Sequence, residues 1–183
     1  MSEQQGGSLA RRLVSVEHDH WQVPEGTVLA PVRRRAGAFF LDVILVTGLL
    51  SIVSRWRILD AWNLTLWASW DFHYSLALAV ALLGSHYLYW VWTGSHFSRS
   101  LGQRWLGLAV VRADGGELSR REWEIRAVRK LLYLLPAVNI WFTVRDALRI
   151  RSRHTHQSNI DLAADSIVAV ADSLPADSRA LLR

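Results

Sequence analysis

Two long apolar runs alternate with segments that are rich in arginine. The first run, residues 36–53 (AGAFFLDVILVTGLLSIV), contains one ionisable residue, Asp42. In the second run, residues 74–94, His86 is the only group that titrates near neutral pH. A helix of about 20 residues, rising 1.5 Å per residue, crosses a hydrocarbon core of roughly 30 Å. The pattern therefore predicts two transmembrane helices, over 36–53 and 74–94, that form a hairpin.

The distribution of basic residues predicts the orientation of this hairpin. Arginines precede the first run and follow the second, whereas the connector 54–73 carries two arginines and two aspartates. The positive-inside rule then places the N-terminal segment 1–32 and the chain after residue 94 in the cytoplasm. The connector would face the outer side of the membrane.

The connector has a helical pattern of its own, with apolar residues at three- and four-residue steps: Trp56, Leu59, Trp62, Leu66 and Trp70. This spacing predicts a helix over 55–71 that lies flat in the outer interface, because tryptophan is enriched at headgroup depth. A polar cap over the hairpin is the alternative. At the other end, Tyr87, Tyr89, Trp90 and Trp92 predict an aromatic belt on the cytoplasmic side.

The region after the second run predicts mixed structure. Residues 108–111 are β-prone and precede the turn sequence 114–116 (DGG), which predicts a small cytoplasmic β-hairpin within 98–119. Ser119 and Glu122 have the spacing of a capping box, which predicts the start of a third helical segment over 120–150.

A third apolar run, residues 131–144, has only 14 residues and contains Pro136 and Asn139. Runs of this length are typical of re-entrant, interfacial or buried segments. Basic residues flank it on both sides, so crossing the membrane would place one cluster outside. We therefore expect a kinked, partly inserted segment that returns to the cytoplasm, with a third span as the alternative. The fold class is an all-α membrane protein with one small β-hairpin.

The composition narrows the chemistry further. The 183 residues include no cysteine, which excludes disulfides and thiolate sites in this chain, and the formal net charge is +5. Membrane topology accounts for that charge, so we expect lipid rather than nucleic acid as the partner. The pairs His18/His20 and His154/His156 lack further ligands, and phosphate-binding or hydrolase motifs are absent. We expect no metal, no cofactor and no enzymatic activity.

Three motifs resemble those of the RDD family of small bacterial membrane proteins. They are Arg35–Asp42 (RAGAFFLD), Ser100–Val111 (SLGQRWLGLAVV) with the later Asp114, Gly115 and Arg126, and Gln157–Val168 (QSNIDLAADSIV), which contains Asp161. Within the middle motif, Gly102, Arg104 and Gly107 match the pattern. Gln103 stands where lysine is common, Ile160 where histidine is common, and Ala164-Asp165-Ser166 where Ala-Gly-Thr is common. The resemblance implies an integral, multi-pass protein of the bacterial cytoplasmic membrane, with a domain over 33–170 and a role in transport. Residues 171–183 contain Pro175 and alternating charge, which predicts a tail that is a surface extension or a docking strip.

The ionisable residues define the candidate site. Arg35 and Asp42 lie two turns apart on one helix face, and an ionised carboxylate at that depth needs a partner. Asp42 is interpreted either as a proton or cation site or as a polar clasp between helices. His86 lies at a similar depth, so we expect it to approach Asp42; a lone histidine could also ligate a haem or chlorophyll. We expect Asp161 to pair with Arg35, with Asp146 as a competitor.

Two functional classes remain. The first is a transport-related component in which Arg35, Asp42, His86 and Asp161 act on a cation or proton, in a homo-oligomer or with a partner. The second is a non-catalytic accessory or assembly subunit that packs against a larger membrane complex through its Trp-rich faces.

Overall fold

The computed structural model describes residues 26–136, 138–152, 157–180 and 182. Within them the chain forms eight α-helices: α1 (Val32–Val53), α2 (Leu64–Trp67), α3 (Phe72–Phe97), α4 (Leu101–Trp105), α5 (Arg120–Leu131), α6 (Val138–Ser152), α7 (Asn159–Ala163) and α8 (Ala176–Ala180). The two strands are β1 (Leu108–Arg112) and β2 (Ser166–Val170), and 3-10 helices cover Arg57–Trp62 and Ala171–Ser173.

Helices α1 and α3 are long and apolar enough to cross a bilayer. They pack antiparallel, since Asp42 contacts Tyr89 while Thr47 contacts His86. Both begin before the predicted runs, and α3 also ends later. Helix α1 starts directly after Pro31, whose carbonyl accepts the amide of Arg35. The two long apolar helices and their antiparallel packing are as predicted.

The connector between these helices is not one continuous helix, so the prediction over 55–71 is wrong. It divides into the 3-10 helix Arg57–Trp62 and the short α2. The side chain of Asn63 accepts the amide of Thr65, which starts a new helix at this point. Ile58 and Ala61 pack against α3, whereas Trp70 is 96% exposed. The connector thus covers the hairpin end and still presents tryptophan outward.

The β-hairpin predicted within 98–119 is also wrong. A turn does form at 113–116, where the amide of Arg112 donates to the carbonyl of Gly116. However, β1 pairs antiparallel with the distant β2, in a register from Leu108 opposite Val170 to Arg112 opposite Ser166. Leu29 bridges to Ala169 on the other edge of β2. The sheet therefore joins the chain before α1 to the chain after α7.

Both faces of this sheet are buried, which explains the uninterrupted apolar sequence of β1. Leu108 and Val110 pack towards Ala38 of α1 and Trp123 of α5. Ala109 and Val111 face the opposite way, onto a cluster that includes Leu174. A two-stranded sheet covered on both sides loses the polar face that an alternating pattern would reveal.

The third helical segment consists of two helices. The predicted capping box of Ser119 and Glu122 is present at the start of α5. Turns at 132–136 separate α5 from α6, so the apolar run 131–144 is not one continuous helix. Pro136 at this break lacks the amide hydrogen that a continuing helix would need. Among the described residues, α6 does not qualify as a membrane span.

The segment after β2 packs against the sheet, so the surface extension predicted for 171–183 is wrong, at least up to Ser178. Leu174 is buried, and the hydroxyl of Ser178 donates to the carbonyl of Gly115. The hydroxyl of Ser173 accepts the amide of Val28. This segment thus packs under the sheet up to Ser178.

Candidate functional site

A buried carboxylate, Asp161, joins two arginines from different helices. Its Oδ2 lies 2.5 Å from Nη1 of Arg35 in α1, and its Oδ1 lies 2.8 Å from Nη1 of Arg126 in α5. The amide and hydroxyl of Ser158 also donate to Oδ2, at 3.0 and 2.9 Å. In return, the amide of Asp161 donates to the hydroxyl oxygen of Ser158 at 3.2 Å, which completes a capping box that starts α7 and fixes the direction of the carboxylate. The predicted pair of Arg35 and Asp161 is confirmed.

The two guanidinium groups determine the charge of Asp161. Burial by itself raises the pKa of this carboxyl, but Arg35 and Arg126 overcome that effect and lower the pKa from 3.8 to about 2. Asp161 is therefore ionised throughout the physiological range. Breaking such a buried pair by removing one partner is costly, because it leaves a charge without compensation.

The arginines also connect Asp161 to the sheet. Arg35 donates from Nε to the carbonyl of Ala30 at 2.9 Å and from Nη2 to the carbonyl of Val168 at 3.1 Å. Arg126 donates from Nη1 to the hydroxyl of Ser166. One charge network therefore fastens α1, α5, α7 and β2 to each other.

The second buried carboxylate, Asp42, has three donors and none of them is a charged residue. Its Oδ1 accepts the hydroxyl of Tyr89 at 2.7 Å and the amide of Gly102 at 2.8 Å. Its Oδ2 accepts the indole N–H of Trp90 at 3.3 Å. Tyr89 and Trp90 were predicted as a surface belt, but they point into the protein because Asp42 satisfies their polar atoms.

Gly102 has to lack a side chain at this position. A Cβ on it would lie 2.2 Å from the carbonyl oxygen of Ala38 and 2.9 Å from Oδ1 of Asp42. The first amides of a helix have no partner within the helix. Gly102, in the first turn of α4, directs such an amide onto Asp42. This contact explains why glycine stands at this position of the motif.

Among the described residues His86 makes no hydrogen bond with Asp42, although the two interact electrostatically and both contact Trp90. It is fully buried, with Nδ1 2.8 Å from the carbonyl of Leu82 and Nε2 3.5 Å from the hydroxyl of Thr47. Its ring lies 5.4 Å from that of Trp90, the residue that donates to Asp42. Both ring nitrogens thus have partners within the hairpin.

Asp42 and Asp161 both border one cavity of about 230 Å³ at the Arg-rich end of the hairpin. It lies between α1, the end of α5, α6, α7 and the sheet. Helix α6 contributes one of its faces, which carries Asn139, Thr143, Asp146, Ala147 and Ile150. This spacing of four, three, one and three residues keeps the side chains on one side of a helix. The cavity wall combines apolar residues with three acidic and three basic ones: Asp42, Asp146, Asp161, Arg35, Arg126 and Lys130.

Lys130 was not among the predicted site residues, and Asp146 was predicted only as a competitor for Arg35. Lys130 belongs to the buried face of α5, with Trp123, Arg126 and Ala127 at helical spacing. The sequence did distinguish Lys130, because it is the only lysine among 21 basic residues. Burial lowers its pKa from 10.5 to about 8, although Asp42 opposes the change. Burial also raises the pKa of Tyr133, whose hydroxyl donates to Asp146.

The other motif residues shape the loops beside the cavity. Gly107 and Gly115 adopt positive φ angles of 63° and 85°, which glycine accepts without strain. Asp114 accepts the amide of Gly116 at 2.9 Å and so stabilises the turn. Arg104 is exposed. None of these four matched residues lines the cavity.

The pairs His18/His20 and His154/His156 lie outside the described residues. Among the residues that the structure does describe, no group of three or more acidic or histidine side chains could hold a metal ion.

Comparison with known proteins gives one match. The family model described as "RDD family" matches residues 29–165, which include α1 and the three motifs up to Asp165. No curated protein and no solved structure matches the chain.

Proposed function

Because this chain belongs to the RDD family, a family of membrane proteins, we propose that it is a multi-pass protein of the bacterial cytoplasmic membrane. Its N-terminus and the charged cavity then face the cytoplasm. The arginines at 33–35 and those after α3 support this orientation, since short basic flanks are retained on the inner side. The exposed apolar residues of α1 and α3 contact lipid in this arrangement.

We further propose that it is a transport-related component that acts on a cation or proton. The observation that supports this proposal is the shared cavity. Asp42 of the spanning helix α1 borders it, as do Asp161 and its ion-pair partner Arg35. Ionisable residues at membrane depth are typical of proton and ion pathways. His86 contributes through Trp90, which it contacts beside Asp42.

Two spans cannot enclose a path through the bilayer, so the proposal includes a second copy or another membrane subunit. It includes no catalytic activity, no bound cofactor and no nucleic-acid partner. Each copy would supply one cavity, and the path would run along the interface between copies.

Ion flux into vesicles tests the transport role. The purified protein is reconstituted in liposomes that contain a pH-sensitive dye. A cation or proton gradient is then imposed across the liposome membrane. Native protein is expected to give flux above that of empty liposomes, and Asp42→Asn to reduce it at least tenfold. Asp172→Asn is a control, since Asp172 is exposed and does not line the cavity. Equal flux from native protein and empty liposomes contradicts transport.

The second candidate is an accessory or assembly subunit. One observation favours it: Asp42 is already saturated by three donors, as in a structural clasp. Large exposed aromatic residues supply a docking surface, among them Trp56, Trp70, Trp105 and Trp141. Purification in mild detergent would then yield a stoichiometric partner. Purification of the chain alone, together with measurable flux, would exclude this candidate.

A further inference from the structure

Two buried charged groups in the cavity have hydrogen-bonding capacity that the described residues do not fill. Lys130 is 7% exposed, and among the described residues its ammonium has neither a hydrogen bond nor a carboxylate within 4 Å. Asp146 is 5% exposed, and its Oδ1 has no hydrogen-bond partner in the described part of the chain. By contrast, Asp42 and Asp161 are saturated. Buried charged groups with unfilled hydrogen-bonding capacity are costly, so their presence in a cavity indicates a ligand that pairs with them.

The positions of these groups define what the ligand must carry. Lys130 and Arg126 are one turn apart on α5, and Nε of Arg126 also lacks a partner among the residues that the structure describes. Both line the cavity, so they form a donor pair for an anionic group. Asp146 lies on α6, on a separate wall, and its free oxygen accepts a hydrogen bond from a cationic donor. The ligand must therefore be a zwitterion.

Aromatic rings lie between the two charged ends. The ammonium of Lys130 is 4.9 Å from the ring centroid of Trp90, whose ring is 5.7 Å from that of Phe39. Phe39 is in turn 5.9 Å from Tyr133, and the hydroxyl of Tyr133 donates to Asp146. Of these rings, Phe39 and Tyr133 line the cavity, so they offer an apolar surface to the hydrocarbon part of a ligand between its charged groups.

We propose that the cavity binds the headgroup of phosphatidylethanolamine. The phosphate contacts Lys130 and Arg126, and the primary ammonium donates to Oδ1 of Asp146. A metal cation alone would leave Lys130 and Arg126 without an anionic partner. A purely anionic ligand would leave Asp146 unpaired.

The walls of the cavity favour a lipid over a soluble zwitterion. Phe40 lines the cavity and is 62% exposed on the spanning helix α1, where it faces the hydrocarbon. Helix α6 presents its other face outward, and Ile140, Trp141, Val144 and Leu148 on that face are exposed. Acyl chains can therefore follow apolar surface from the cavity into the bilayer. The proposal goes beyond transport and does not require it.

Native mass spectrometry of the full-length protein in detergent tests the proposal. Phosphatidylethanolamine, phosphatidylcholine and phosphatidylglycerol with identical acyl chains are titrated separately. The ethanolamine lipid is expected to bind one per chain, at least tenfold tighter than the other two. Choline has no hydrogen to donate to Asp146, and glycerol carries no positive charge. Equal affinity for the three lipids would overturn the proposal, and this comparison needs no variant.

Variants then locate the site. Lys130→Met is expected to weaken binding of the ethanolamine lipid at least tenfold. Asp146→Asn, which still accepts the hydroxyl of Tyr133, should reduce that affinity to the level of the glycerol lipid. Arg129→Met is the matched control, because Arg129 is the exposed basic neighbour of Lys130 and should leave the lipid preference intact. Unchanged preference in both cavity variants would overturn the assignment.

A soluble competitor separates the two sources of the zwitterion. Free phosphoethanolamine at a hundredfold excess should not displace the lipid, because it lacks the chains that contact α1 and α6. Displacement at equimolar concentration would identify a soluble ligand and refute the lipid site. Absence of ion flux in liposomes would not affect these binding results, so this proposal and the transport proposal fail separately.

Discussion

Replacement of Lys130 by methionine should stabilise the folded protein at pH 7. Burial lowers the pKa of the ammonium from 10.5 to about 8, so the folded state disfavours its charged form. At about 1.4 kcal/mol per pKa unit, the charge destabilises the fold by about 3 kcal/mol below pH 8. Methionine has a similar length and removes that charge. Loss of the contact with the Trp90 ring offsets roughly 1 kcal/mol, which leaves a net gain of about 2 kcal/mol.

The pH dependence distinguishes this cause from a general packing effect. Between pH 8 and 10.5 the unfolded chain still holds the proton that the folded protein has lost, so the stability of the native protein rises with pH. The advantage of Lys130→Met should therefore shrink over this range. Thermal unfolding in detergent, followed by tryptophan fluorescence, should show a midpoint roughly 4–8 °C higher at pH 7 and little difference at pH 10.5. A lower midpoint at pH 7, or a difference that does not vary with pH, would refute the reasoning. Arg129→Met should change the midpoint by about 1 °C or less.

Three further outcomes follow from the same structure and the same unfolding assay. Asp161→Asn leaves the guanidinium groups of Arg35 and Arg126 without a counter-charge and should lower the free energy of unfolding by about 3–5 kcal/mol. A loss below about 1 kcal/mol would contradict the stabilising role of these two ion pairs. Since the pKa of Asp161 is lowered to about 2, its contribution to stability should be complete above pH 4 and disappear as the pH falls towards 2, and a flat acid profile would count against it. Gly102→Ala should cost about 1–3 kcal/mol, because its Cβ overlaps the carbonyl oxygen of Ala38. Gly48→Ala, whose Cβ meets nothing within 4 Å, should be neutral or slightly stabilising.

Local patterns in the sequence predicted the parts of the fold that depend on neighbouring residues. Hydrophobic length predicted α1 and α3, and the spacing of Ser119 and Glu122 predicted the start of α5. The pairing of β1 with β2 could not be predicted in this way, because the two strands lie more than 50 residues apart and no local signal identifies the partner. The prediction of one continuous connector helix was wrong for a related reason. The side chain of Asn63 accepts the backbone amide of Thr65, which ends one helix and starts another.

The candidate site was predicted in part. Motif position and charge together identified Arg35 and Asp161 as a pair. Depth alone suggested His86 for Asp42, but depth does not determine rotation about a helix axis, and Tyr89 and Trp90 take that place instead. Lys130 was missed because a cation on an amphipathic helix is normally assigned to the solvated face. Only tertiary packing shows that the buried face of α5 carries two cations.

The bond between Arg35 and Asp161 has a consequence for the order of biosynthesis. The arginine emerges early, before either span has been inserted, whereas its aspartate follows 126 residues later. Every nascent chain therefore passes through a stage in which α1 and α3 are in place but Asp161, the ion-pair partner of Arg35 and Arg126, has not been synthesised. Translation that stops before Asp161 should leave an inserted hairpin that lacks the ion pair of Arg35 and Asp161. We expect quality-control proteases to recognise and remove this form.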